Sequence, residues 1–306
     1  LKPKDIKFAN GLKDKLVKFD KTARPLPGLN DRVAMEVLLE QIVESVHRVK
    51  YISLLMERDI SPLRANSKSE FFDPEKAAIY YKRVGNIDEA CWLVFLSVFF
   101  GKNLKGGWRY LTETYDRLGQ GGLWDWNSVK ADPDAFGEWI LRNQHILKRD
   151  GVRGGFGNHR KYNSLTQAPK AVKTYVEWVG NSHLELFDRI GREVGADRRK
   201  QFAHLYRTLN SVFTLGRTGK FDYLTMIGKM GLAPIEPGSA YMAGATGPLA
   251  GARLLFGGAS TANLPRVVLD KWLVELEADL GVGMQVMEDS LCNWQKNPAK
   301  FVAFRG

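Results

Sequence analysis

The sequence predicts an all-α protein. Apolar residues recur at three- and four-residue spacing through most of the chain, cap-type residues and prolines stand at the starts of those stretches, and turn-bounded alternation of strand type is essentially missing. A chain of 306 residues with 44% hydrophobic content buries about three quarters of its unfolded surface. That is core enough for two helical lobes with a cleft, which we expect over about 31–148 and 166–306.

Residues 1–31 mix lysines with apolar residues and end in RPLPGLND, which resists a long helix; residues 1–30 read as an N-terminal arm. Asp31 to Met56 has helical spacing, with Asp31 as its cap and His47 at its surface or core edge. Asp73-Pro74-Glu75 starts the next helix. Asn86 followed by Glu89 has the spacing of a capping box for another, CWLVFLSVFF, which is apolar nearly all round and belongs at the centre of the first lobe. Asp88 and Glu89 then stabilise its first turn through the dipole. The aromatics Trp108, Tyr110, Trp124, Trp126 and Trp139 read as core and lid packing, with base stacking as the second use.

Arg149 to Leu165, RDGVRGGFGNHRKYNSL, is a basic, turn-rich stretch with many backbone donors. It suits both a connector between lobes and phosphate contact. The second half adds several helices. Its centre is Phe213 to Gly258, where glycine clusters run straight into aliphatic residues. In GATGPLAGARLLF, Gly247 ends one helix or takes a positive φ, and Pro248 suits the first position of the next. Gly251 and Ala252 leave little side chain. The result is a helix N-terminus that favours a phosphate, as in the helix-hairpin-helix element of DNA repair enzymes; close helix packing through small residues explains the pattern equally well.

Lys and Arg number 45 against 34 Asp and Glu, a net charge of +11, which points to a polyanionic partner with nucleic acid first. Cys91 and Cys292 sit in apolar surroundings, and reduced thiols fit a cytoplasmic protein. The run Cys91–Phe100 is too short to span a bilayer, and no signal peptide is evident. GRTGK has two residues between its glycines where a P-loop has four, and Phe221 follows Lys220 in place of Ser or Thr. No spacing suits a zinc site or a GxSxG elbow. No cofactor is expected.

The reactive material left is polar residues within apolar helical stretches. Arg217, Lys220 and Asp222 open a helix; Glu236 and Tyr241 flank the PGS turn. Asp270 follows the glycine hairpin, and Glu288 and Asp289 lie near Asn293 and Lys296, with 289, 293 and 296 on one helical face. Acid beside base on such a face serves general acid–base work or a structural ion-pair network.

NIDEACWLVFLSVFFGK, GGFGNHRKYNSL, GRTGKFDYLTMIGKMGL, PIEPGSAYMAGATGPLAGARLLFGG and LGVGMQVMEDSLCNWQK together resemble the alpha-glutamyl/putrescinyl thymine pyrophosphorylases of clades 2 and 3, over roughly residues 70 to 306. The resemblance implies a helical relative of the helix-hairpin-helix DNA glycosylases, from a bacterial or phage-infected cell. It implies DNA as substrate, an amino acid or polyamine as co-substrate, and a separate 5-hydroxymethyluracil DNA kinase as a partner. The expected reaction displaces pyrophosphate from activated 5-hydroxymethyluracil in DNA by an amine.

On that reading Arg217 and Lys220 meet the pyrophosphate, and Asp222, Glu288 or Asp289 handles the amine. Arg153, Asn158, His159, Arg160, Lys161, Gly244, Gly247, Gly251 and Arg253 contact DNA. Asp270 is close to where a glycosylase places its catalytic Asp, but in a helix-like setting, and two residues rather than one separate Gly244 from Gly247; both departures weigh against base excision. The alternatives are a non-catalytic DNA-binding module serving a kinase, and a divergent glycosylase or lyase.

Overall fold

The structure, a computed structural model, describes residues 2–149, 154–160 and 162–304. Among the described residues it holds fourteen α-helices and no strand: α1 Pro3–Thr22, α2 Arg32–Glu57, α3 Pro74–Arg83, α4 Ile87–Phe100, α5 Arg109–Tyr115, α6 Trp126–Ala131, α7 Pro133–Leu147, α8 Ala168–Val179, α9 His183–Val194, α10 Arg198–Thr208, α11 Arg217–Lys229, α12 Gly247–Gly257, α13 Arg266–Leu280 and α14 Met284–Trp294. The chain divides into two compact units: Leu1–Ser53 with Pro237–Arg305, and Leu54–Glu236. It passes from one to the other in the last turn of α2 and again at Glu236–Pro237, and the basic stretch 149–165 falls within the second unit.

Unit 1 is built from α1, most of α2, and α12 to α14. The stretch expected as an arm is a helix over Pro3–Thr22, and its Leu12, Leu16 and Phe19 join Leu38, Ile42, Leu269, Leu273 and Trp294 in one core. The prolines act only after it: Ala23 caps α1, and the Asp20 carboxylate accepts from the Leu26 amide at 2.6 Å to turn the chain. Trp294 closes the core by donating its indole N–H to the Ala34 carbonyl at 2.9 Å.

Unit 2 is organised around α4, buried from Glu89 to Phe100. Its start follows the local pattern: Asn86 accepts from the Glu89 amide at 3.1 Å, satisfying one of the first N–H groups of the helix. Glu89 does not reach back to Asn86. Its carboxylate accepts from the Tyr115 hydroxyl at 2.6 Å and the Trp126 amide at 2.7 Å, tying α4 to α5 and α6. Asp88 accepts from the backbone and ring N–H of His183 at 2.7 and 2.6 Å, joining α4 to α9. Both acids are therefore structural, through cross-links between helices as well as through the dipole. Trp124 and Trp126 are core residues, as is Tyr110, and Phe95 stacks on Tyr175 with ring centroids 3.8 Å apart.

Candidate functional site

The first turn of α11 runs against the usual electrostatics of a helix. An N-terminus carries partial positive charge and favours acids, yet this one holds Arg217 and Lys220 and no acid. It starts at Gly216, which offers no side-chain cap; the first N–H groups of a helix have no acceptor inside it. Thr214, two residues before the cap, takes a left-handed φ of +64°, an uncommon conformation for a β-branched residue and one that costs energy.

Lys220 is 8% exposed. Its ammonium donates to the Asn210 side-chain oxygen and lies 4.3 Å from the Tyr206 ring centroid. Burial pushes its pKa down. The Arg217 guanidinium, one turn earlier, sits 5.0 Å from the Phe221 ring centroid. An amide and an aromatic face hold Lys220 in place without cancelling its charge, which stays able to act on an anion.

Asp222 turns away from that face. With Arg160 it forms an ion pair, in which the Asp222 side chain is 42% exposed and that of Arg160 is 7% exposed. Arg160 also donates from Nε to the Val98 carbonyl at 2.5 Å. The next two carbonyls of α4 are met by the same stretch: Asn163 donates to Phe99 at 2.7 Å, and the Gly157 amide to Phe100 at 2.8 Å. The end of α4 is thus capped by this stretch, which satisfies carbonyls that a helix leaves open and places a cation at its negative end. No side chain fits between Gly157 and Gly101, since a Cβ on Gly157 lies 2.8 Å from the Gly101 carbonyl carbon.

Of the DNA contacts expected here, Arg160 is therefore engaged internally, Asn158 is half-buried and His159 is exposed. Arg153 and Lys161 lie outside the described residues.

In unit 1, α12 starts after an exposed turn in which Gly244 has φ +78°, and no side chain caps it. Its glycines serve packing: a Cβ on Gly247 lies 2.5 Å from the Cys292 sulfur, and one on Gly251 lies 2.3 Å from the Leu291 carbonyl oxygen. α12 can approach α14 only with hydrogen at both positions. Arg253 is half-buried on the same helix. Asp270 is helical, on α13, and its carboxylate accepts from the Met242 amide at 3.0 Å, fixing the segment that leads into α12.

On α14 the polar residues do come together. Asp289 accepts from Arg48 at 2.5 Å, from the Ser45 hydroxyl, and from Asn293 at 3.0 Å; Lys296 donates to Asn293 at 2.9 Å. Arg48 also pairs with Glu44 at 2.9 Å. Both Asp289 oxygens have donors, and Arg48 has two acids. Glu288 is half-buried beside this network.

Sequence reasoning missed a buried polar line in unit 2. His183 donates from Nδ1 to Asp88, and its Nε2 stands 2.8 Å from the Tyr175 hydroxyl, which is 2.9 Å from that of Tyr223. Burial pushes the His183 pKa down, so the ring is neutral and accepts at Nε2 while Asp88 remains a carboxylate. The only local signal was Ser182, which caps α9 by accepting from the Glu185 amide at 3.1 Å and so places His183 at its first position. Among the described residues, no group of three or more His, Cys, Asp or Glu is arranged to hold a metal ion, and no helix is long and apolar enough to cross a membrane.

No curated protein and no solved structure matches the chain. Residues 33–306 match the family model described as alpha-glutamyl/putrescinyl thymine pyrophosphorylase clade 3, and with nine-tenths of its length so covered the chain belongs to that family.

Proposed function

We propose that this protein transfers the nitrogen of an amino acid or polyamine onto pyrophosphate-activated 5-hydroxymethyluracil in DNA. Family membership points to an enzyme of thymine hypermodification, and the first turn of α11 carries the finer reading. Two cations at an uncapped helix N-terminus, one of them buried among an amide and an aromatic ring, suit a pyrophosphate that gains charge as it leaves. In the reaction the amine nitrogen bonds to the methylene carbon, the carbon–oxygen bond to pyrophosphate breaks, and the nitrogen gives up a proton.

Lys220 and Arg217 stabilise the departing oxygens. The amine proton goes to one of the three acids Asp222, Glu288 and Asp289, of which Asp289 is engaged by three donors and Asp222 by Arg160. The exposed turn before α12 and His159 supply phosphate contacts along the DNA. The activated base comes from a separate phosphoryl-transfer enzyme, because GRTGK is not a P-loop.

The test is nucleoside mass spectrometry of DNA carrying pyrophosphorylated 5-hydroxymethyluracil after incubation with the protein and a mixture of amines. The expected product is an amine-substituted thymine with pyrophosphate released. Unchanged nucleosides with every amine would leave only a DNA-binding module, and abasic sites would identify a glycosylase.

A further inference from the structure

The lysines of α1 form a pattern that the α11 site does not use. Residues 1–32, which lie before the family match, hold seven Lys and two Arg against four Asp, a net +5 of the chain's +11. At 3.6 residues per turn, Lys4, Lys7, Lys15 and Lys18 fall within an arc of about 80° and span about 21 Å along the axis. All four are exposed. Two of the three acids on α1 are turned elsewhere: Asp5 is buried against His47 at 3.1 Å, and Asp20 holds the Leu26 amide. Asp14 alone stands at the edge of the row.

Three of these lysines, with Phe8, Gly11 and Leu280, line a groove of about 410 Å³ in which no acid takes part. Lys15 is held at its wall by donating to the Leu280 carbonyl at 3.0 Å. Gly11 lies mid-way along the row, in the interior of a 20-residue helix, where glycine weakens a helix relative to alanine. Packing inside the protein does not require it, since a Cβ there meets nothing within 4 Å. The missing side chain leaves a notch that opens outward between lysines.

We infer that this face of α1 is a second DNA-binding surface, on which a stretch of phosphodiester backbone runs along the lysine row and seats against Gly11. A row about 21 Å long matches an extended polyanion better than a single phosphate headgroup, because consecutive phosphates on one strand recur along it. The inference rests on DNA being the substrate, but names a surface outside the reacting site and outside the family-matched residues.

The test measures binding of the intact protein to an unmodified 20-bp duplex over a range of salt concentrations. Replacing Lys4, Lys7 and Lys18 by Gln leaves the buried face of α1 and the Lys15 hydrogen bond in place. It should flatten the slope of log K against log salt by about 2.7, at about 0.9 for each phosphate that is no longer neutralised. Gly11→Leu should weaken binding while melting temperature holds or rises.

Unchanged slope and affinity in both variants would overturn the inference and leave the proposed reaction standing. Loss of binding to phosphatidylserine vesicles, with duplex binding intact, would overturn it in favour of a lipid surface. Failure of the unaltered protein to bind duplex DNA at low salt would remove this inference together with the proposed function.

Discussion

On α14, the charges are answered within the protein: Arg48 lies between Asp289 and Glu44, and Asn293 links Asp289 to Lys296. On α11, Arg217 and Lys220 face aromatic rings and an amide. Sequence places the two sets on equal terms, since each is a short helix with acids and bases among apolar residues. The structure separates Lys220 from the α14 network by compensation. A network that neutralises itself needs no ligand, whereas a buried lysine at the positive end of a helix, held by an amide and a ring, gains most when an anion arrives.

The strongest way to break that comparison is Lys220→Gln. Gln keeps a donor near Asn210 but removes the charge, and loss of one preplaced stabilising group at a developing charge costs about 10²–10³ in rate. Single-turnover transfer should fall by that factor, while duplex affinity changes by less than about threefold. Equal loss of rate and affinity would make Lys220 a backbone contact.

The same unit holds a buried charge of the opposite sign. Glu89 is 3% exposed with two hydrogen-bond donors and no cation among the groups that set its ionisation. Burial pushes its pKa up from 4.5 to about 7. The fold therefore binds a proton that the unfolded chain has already lost, and stability falls as pH rises from 4.5 to 7. Glu89→Gln removes that penalty and keeps a donor and an acceptor, so at pH 8 it should stabilise the protein by up to about 3 kcal/mol. At pH 4 the two proteins should unfold alike. His183 works the other way, since its lowered pKa removes stability as pH falls below 6.5, but it is common to both proteins and cancels in the difference. Urea titrations at pH 4, 6 and 8 measure it, and a pH-independent gap would place the Glu89 shift elsewhere.

The helical class was legible because local and global preferences agree: Asp73 and Asn86 cap as their positions predict, and α4 is central because it has no polar face. Asp31 likewise accepts from the amide two residues on, at 2.8 Å. What the sequence left open depends on distant partners. The stretch 149–165 reads as phosphate-binding from composition, but Arg160 and Asn163 meet carbonyls some sixty residues away in α4, a pairing that no local pattern encodes. Gly247 and Gly251 allow either a phosphate turn or close packing until α14 is seen against them. The Pro3–Thr22 helix was obscured by the prolines that follow it, although its apolar residues keep helical spacing. Lys220 differs from its basic neighbours only in burial, again a tertiary property.

Converting a compensated pair into an uncompensated one sharpens the comparison from the other side. Asp222→Asn leaves the Arg160 guanidinium buried at the end of α4 without its carboxylate. Breaking a fully buried pair costs about 3–5 kcal/mol, and the half-open Asp222 reduces that through solvent screening to about 2 kcal/mol. The loss should appear in denaturant midpoint with little change in the slope of the transition. Arg160→Met removes the charge together with its bonds to Val98 and Asp222, so the double variant should cost little more than Arg160→Met alone.

The smallest effect is expected at Asp289, and it bears on catalysis most directly. Its network lies near the surface, with the Asp289 and Arg48 side chains 26% and 28% exposed, so solvent screens whatever Asp289→Asn removes. The amide retains one oxygen for Arg48 or Ser45, and Glu44 still neutralises Arg48. Stability should fall by about 1 kcal/mol or less. If the network is only structural, transfer rate follows that small change. A general base behaves differently: losing it lowers the rate by about 10²–10⁴ while stability stays put, and the loss is partly restored by raising pH, as more of the free amine arrives already deprotonated. Measuring rate against pH in Asp289→Asn and Glu288→Gln side by side therefore identifies the acid that takes the amine proton as the one whose loss is large and pH-dependent.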